Sequence, residues 1–185
     1  MVQMTKCALA ATLKKLLLQK SLDKITVVDI VEECGVNRQT FYYHFQDIYA
    51  LVEWILLNDT DKALDGKKTY DTWQQGFLQI FEYVLENKTF IMNAYHSISR
   101  EQVEHCLYEI TYNLLIGVVE EQAADIVVRD EDKIFIAHFY KYAFVGLMLD
   151  WIKRGMKDDP KVLIEELSVL IQGDIGRALQ KYKIL

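Results

Sequence analysis

Thr26-Val27-Val28-Asp29-Ile30 and, four residues on, Cys34-Gly35-Val36-Asn37-Arg38-Gln39-Thr40-Phe41-Tyr42-Tyr43-His44-Phe45 decide how this chain folds. Thr26 has the chemistry of a helix N-cap, and Asp29, three residues later, is its capping-box partner. The pair predicts a short helix over about 27–33. Gly35 takes the left-handed conformation that ends a helix, and Asn37 can cap the next one. The spacing then predicts a second short helix over about 38–45. Two short helices joined by such a turn form a helix-turn-helix. Ile30, Val31, Val36, Phe41 and Phe45 are expected to face a core. The outward side of the second helix presents Arg38, Gln39, Thr40, Tyr42, Tyr43 and His44. Nearly all of these carry a hydrogen-bond donor, whereas an ordinary solvated helix is more often rich in Glu and Lys.

Upstream, Leu9, Leu13, Leu16 and Leu17 recur at three- and four-residue spacing, with Ala8, Ala10 and Ala11 adding propensity. They predict a helix over about 5–19. Downstream the helical period continues in longer stretches. These are 48–64, ending at Asp65-Gly66, then 70–86 and 89–96. Ser99, with Gln102 three residues on, caps a helix reaching about 124. Two more follow, 130–154 stopping at Gly155, and 161–181 behind Pro160 at a first helical turn. Ile126-Val127-Val128 reads as a connection. The expected fold is all-α with about nine helices. A three-helix domain, 1–47, carries the helix-turn-helix, and an antiparallel helical bundle covers 48–185.

Composition agrees. The 185 residues are 51% hydrophobic and 26% charged, with one proline and eight glycines. This is enough apolar material for a sizeable core and too little Pro and Gly for linkers or most all-β folds. No window approaches the length of a membrane span, no secretory signal is visible, and three scattered cysteines, Cys7, Cys34 and Cys106, predict a reducing cytoplasm and no disulfide framework. Cys7 and Cys34 are expected to be small buried hydrophobes. The net charge is −6, whereas a wholly nonspecific nucleic-acid binder is usually basic. The first fifty residues carry six basic against five acidic side chains, whereas the rest carries fifteen against twenty-two. Only the first quarter suits a phosphate backbone.

The same residues carry a resemblance. The run from Ile25 to Ile30, followed by Cys34 through Phe45, resembles the DNA-binding domain of TetR/AcrR-type transcriptional regulators over about the first fifty residues. The resemblance implies that the third helix enters the major groove of double-stranded DNA and that two subunits read a palindromic operator. It places Arg38, Gln39, Thr40 and Tyr42 where the family contacts bases, and Tyr43 and His44 where it touches phosphates or nearby bases. Arg38 has the fork that suits guanine and Gln39 the amide that suits adenine. Thr26 stands where a residue caps the second helix and contacts phosphate, and the cap alone is an equal reading. Two departures stand out. Ile48 occupies a position where the family commonly has a phosphate-clamping lysine, and Asp47 beside it has the wrong charge for DNA. Phosphate affinity is then expected to lean on Lys6, Lys24 and helix N-termini.

The C-terminal two thirds are aromatic. The resemblance implies a small-molecule effector in that bundle, with Trp73, Phe77, His96, Tyr108, Tyr112 and Tyr140 as candidate contacts, although an aromatic stripe at helical spacing is more often core. The helices at 130–154 and 161–181 are apolar on more than one side and suit a homodimer bundle across a twofold axis. His138, Phe139, Tyr142, Leu167, Leu170 and Ile171 are the candidate interface. No nucleophile–base spacing, phosphate loop or paired-cysteine zinc site appears, so no enzyme, metal or cofactor is expected. The leading expectation is a homodimeric DNA-binding regulator under effector control, repression being the family's usual sign. Two alternatives stand beside it. The Arg-Gln-Thr-Phe-Tyr-Tyr-His-Phe run is similar to that of activators of dihydroxyacetone-kinase operons, which work through a kinase-like protein coactivator. A helical ligand-binding protein without a DNA role is the third reading.

Overall fold

Leucines on one stripe of the first helix set up the N-terminal packing. In the computed structural model, which describes every residue except 1, 65–68, 70, 71, 172 and 185 and only the backbone of Arg100, α1 (Val2–Leu17) buries Leu9, Leu13, Leu16 and Leu17. A 3-10 turn at Leu22–Lys24 leads to α2 (Val27–Cys34) and α3 (Arg38–His44), and α4 (Ile48–Ala63) follows. After it come α5 (Trp73–Glu86), α6 (Lys88–Ser97), α7 (Arg100–Gln122), α8 (Asp130–Lys153), α9 (Pro160–Ile171) and α10 (Asp174–Tyr182). The fold is all-α, as expected. The described residues form ten α-helices where about nine were expected. None of these helices is long and apolar enough to cross a membrane.

Two compact units emerge. The first comprises Met1–Asp59 and Asn87–Cys106, the second Thr60–Glu86 and Leu107–Leu185, so α4 and α7 are each divided between them. In the first unit α1 packs on α2 and α6, and α2 packs on α3. Ile30, Val31, Phe41 and Phe45 are buried as expected, while Val36 is half-buried. An ion pair from Lys14 Nζ to Asp59 Oδ2 at 2.6 Å ties α1 to α4.

The second unit is built on aromatic packing. Phe77 of α5 stacks on Phe144 of α8 with centroids 3.8 Å apart and planes 7° from parallel, and Trp73 sets its edge against both. Trp151, fully buried, packs on Phe81 at 5.0 Å, and its Nε1 donates to the Asp158 carbonyl at 2.9 Å. That bond holds the chain reversal at Gly155 and Met156, both at positive φ. Pro160 opens α9 as expected.

Two expectations are corrected. The single helix expected over 161–181 is two, because Gly173 takes φ +80° in the left-handed region and ends the ladder. Without a Cβ, glycine occupies that region at no steric cost. Cys7 is exposed and Cys34 half-buried; only Cys106 is buried. The expected stop at Asp65-Gly66 and the expected start at Tyr70 lie outside the described residues.

The aromatic stack sets a scale for a test. Phe77→Ala removes a ring that is buried and stacked, and is expected to destabilise the protein by about 3–5 kcal/mol. Val169→Ala, at a position 81% exposed, is expected to stay within about 0.5 kcal/mol. Urea unfolding of the two variants checks both.

Candidate nucleic-acid interface

Backbone caps hold the outward face of α3 in place. Thr26 N donates to Asp29 Oδ2 at 2.7 Å, Thr26 Oγ1 donates to the same oxygen at 2.7 Å, and Asp29 N donates back to Thr26 Oγ1 at 3.2 Å. The capping box is therefore closed. Lys20 Nζ stands 3.0 Å from the other Asp29 oxygen. These donors, the Thr26 backbone amide first, lower the Asp29 carboxyl from its ordinary value of 3.8 to about 2. Gly35 ends α2 at φ 72°, ψ 29°, with Val36 N donating to the Val31 carbonyl at 3.0 Å. Asn37 Oδ1 then accepts from Thr40 N at 2.7 Å and from Thr40 Oγ1 at 2.9 Å.

These bonds sort the six outward residues and Thr26. The Thr26 and Thr40 hydroxyl protons are both engaged in caps, so neither is a free donor. Arg38, Gln39, Tyr42 and Tyr43 are exposed, Tyr42 by 49% and Tyr43 by 76%. The Arg38 guanidinium lies 5.9 Å from the Tyr42 ring centroid, one turn along, with no carboxylate partner among the described residues. His44 is half-buried and sets its ring at 79° to that of Tyr43, 4.9 Å away. Phe41, fully buried, is the anchor opposite. The free donors of the face are thus Arg38, Gln39, Tyr42 and Tyr43.

Part of the positive charge of the first unit is neutralised at home. Lys14, Lys15 and Lys20 pair with Asp59, Glu33 and Asp29. Lys6 and Lys24 have no ion pair among the described residues. Lys6 Nζ rests 5.5 Å from the Phe45 ring and 5.7 Å from that of Trp54, so its stem crosses from α1 to the end of α3. Asp47, unexplained by charge, caps α4 by accepting from Ala50 N at 2.8 Å.

The six residues expected at an effector site are divided between the two compact units. Trp73 and Phe77 are interior to the second unit's aromatic stack, and exposed His96 belongs to the first unit. Tyr108 and Tyr112 do meet, around a residue absent from that set. Lys141 is buried on α8, and its Nζ lies 5.1, 5.6 and 5.0 Å from the ring centroids of Tyr108, Tyr112 and Tyr142. A lysine at three- and four-residue spacing among Ala137, His138, Phe144 and Val145 was the available signal. Tyr140 has its hydroxyl pKa raised by burial first and by the Asp174 carboxylate second.

The expected interface residues divide as well. Phe139 (62%), Tyr142 (55%) and Leu170 (71%) are exposed. Leu167 and Ile171 are buried, and half-buried His138 packs edge-on to Tyr112 at 5.1 Å. On α8, Phe135, Phe139, Tyr142 and Gly146 leave an exposed stripe, and Val162, Val169 and Leu170 are exposed on α9.

Residues 9–55 match the family of bacterial regulatory proteins, tetR family, and residues 71–173 match a transcriptional regulator C-terminal region. The HTH-type dhaKLM operon transcriptional activator DhaS of Lactococcus lactis subsp. lactis (strain IL1403) is 29% identical over 153 residues, 82% of this chain and 81% of that protein. The solved structure of a dihydroxyacetone kinase operon activator, DhaS, matches with a TM-score of 0.70 at 26% identity, covering 97% of this chain and 98% of that one. NalD, the secondary repressor of the MexAB-OprM multidrug efflux pump in Pseudomonas aeruginosa, shares the fold at a TM-score of 0.56 and 17% identity, with 96% and 97% covered.

The lowered Asp29 carboxyl gives this face a pH dependence. Its contribution to stability is complete above the ordinary aspartate value and is lost as pH falls from about 4 towards 2. Thermal melting across that range is expected to show a steeper loss for the natural protein than for Asp29→Asn, which starts lower and changes less.

Proposed function

The chain belongs to the TetR family of transcriptional regulators and is a DNA-binding regulator, not an enzyme; from that premise we propose that it acts as a homodimer reading a palindromic operator through Arg38, Gln39, Tyr42 and Tyr43. The observation that carries this reading is the donor face of α3. It is exposed, free of internal carboxylates and fixed from behind by Phe41 and the Asn37 cap. Thr26 is assigned to the cap of α2, leaving the amides of its first turn to approach a phosphate. Tyr43 and His44 lie further along α3 and suit backbone contact. Lys6, held between Phe45 and Trp54, supplies a cation that Ile48 does not.

The exposed stripes of α8 and α9 support the dimer. Apolar helix faces of this kind gain stability when buried against a second copy. Phe139, Tyr142 and Leu170 are the interface residues this reading retains, with Leu167 and Ile171 beneath them. We place the domain boundary functionally at 47–48, where the recognition segment ends and α4 begins.

Control through the C-terminal region has two readings. A small-molecule effector in the bundle is the family's usual arrangement, and Tyr108 and Tyr112 are the contacts it retains. Transcriptional activation is supported by the names of the two DhaS relatives, both operon activators, and a protein coactivator is the arrangement that the resemblance in the Arg38–Phe45 run implies for such activators. Under either, a controller shifts the population of DNA-competent dimers in proportion to its preference for one state.

A gel shift with the protein's own upstream DNA tests the reading. Tyr42→Ala and Arg38→Ala are each expected to weaken specific binding by about ten- to a hundredfold. Lys6→Ala is expected to weaken all sequences alike and to make log affinity fall less steeply with log salt, by about one in the slope if the lysine meets a single phosphate. Equal retention of all variants in the presence of competitor DNA contradicts the proposal. A reporter fused to the same upstream DNA separates activation from repression by the sign of its response to deletion of the regulator.

A further inference from the structure

The first unit contains a cavity of about 480 Å³ that none of the roles above uses. Its lining comes from the start of α4 and from the α6–α7 junction with the first turns of α7, and every lining residue lies within that unit. The volume falls in the range of small-ligand sites. Apolar side chains, among them Val52, Leu56 and Val103, share the lining with the carboxylates of Asp47, Glu53 and Glu101 and the imidazole of His105, and no lysine or arginine joins them among the described side chains.

Among the described side chains, three carboxylates stand against one imidazole. Asp47 is engaged as the cap of α4. Half-buried Glu53 and exposed Glu101 have no ion pair among the described residues. The field of Glu53 reaches Cys106 on the same wall. That thiol, only 6% exposed, is pushed up to about 11 by burial first and by Glu53 second. It stays protonated at neutral pH and offers neither a thiolate ligand nor a competing counter-charge. Among the described residues no group of three or more His, Cys, Asp and Glu is placed to hold a metal ion. Carboxylates at the edge of an apolar cleft, without metal-ligand geometry, favour a cation that brings apolar surface with it. Such a ligand offsets the cost of a half-buried carboxylate and buries its own body against the aliphatic wall.

We propose that this cavity binds an organic cation, a protonated amine on an apolar or aromatic body, with Glu53 as the principal counter-charge and Glu101 as the second. Asp47 stands in the cavity wall and two residues beyond Phe45. An occupant therefore touches the segment that joins α3 to α4. The regulatory meaning of the site rests on the DNA-binding reading; the binding itself does not.

Calorimetry on the full chain tests it, with 2-phenylethylammonium as the cation, 2-phenylethanol as its neutral counterpart and phenylacetate as the anion. The amine is expected to bind at least about tenfold more tightly than the alcohol, and phenylacetate not at all. Glu53→Gln is expected to weaken the amine about tenfold without altering the affinity for the alcohol. Glu101→Gln, at an exposed position, is expected to weaken the amine by a smaller factor with an unchanged melting temperature; it keeps the test open if Glu53→Gln does not fold. Glu165→Gln on α9 is the control and leaves affinity unchanged. Equal affinity for amine and alcohol, an amine affinity indifferent to both cavity variants, absence of amine binding at millimolar concentration, or displacement of the amine by equimolar magnesium would each overturn the proposal. A gel shift on the unliganded protein is independent. Operator binding without amine binding removes this site alone, and amine binding without operator binding removes the DNA-binding reading alone.

Discussion

Gly35 and the two caps around it are the constraint on which the outward face of α3 depends. At φ 72° the glycine turns the chain between α2 and α3 in a conformation that costs an L-side chain about 1 kcal/mol or more. The Thr26–Asp29 box fixes where α2 begins and the Asn37–Thr40 pair fixes where α3 begins. With both starts set, the phase of α3 is set too. Phe41 and Phe45 turn inward, and Arg38, Gln39, Tyr42 and Tyr43 turn outward. A shift of one residue at the Asn37 cap would rotate α3 by about 100° and bring Thr40 or Tyr42 to the place of Phe41. The donor face is thus a product of backbone hydrogen bonding as much as of the side chains that compose it.

That local origin explains why this part of the molecule was legible in the sequence. Caps, a left-handed glycine and a helical period act over three to five residues, and the residues concerned stand next to each other. Ser99 with Gln102 at the start of α7 and Pro160 at the start of α9 were legible for the same reason. Gly173 was not, because a glycine within an otherwise helical run is compatible with continuation and only tertiary packing decides against it. The role of Asp47 was missed by weighing its charge against DNA and not its position three residues before Ala50.

The C-terminal region was legible as helices and not as a site. Periodicity shows which residues share a face of one helix, and it does not show what that face meets. Trp73 and Phe77 looked like ligand contacts of the same standing as Tyr108 and Tyr112, yet the first two close on Phe144 and the second two gather round Lys141. His96 shares their chemistry and lies in the other compact unit. The same holds for α8. One face carrying Ala137, Lys141, Phe144 and Val145 is buried, and the other, with Phe139 and Tyr142, is open. Both were apolar in sequence, and only packing distinguished inside from outside.

The pairing of Lys14, Lys15 and Lys20 with acidic neighbours has an effect on how the protein is distributed among the DNA of a cell. With three lysines paired and Lys6, Lys24 and Arg38 left over, fewer cations face outward from this unit than its sequence contains, and an attraction to arbitrary duplex that rests on free cations is smaller by that much. In a DNA-binding regulator, less general adhesion leaves a larger share of the difference between one duplex and another to side-chain contacts.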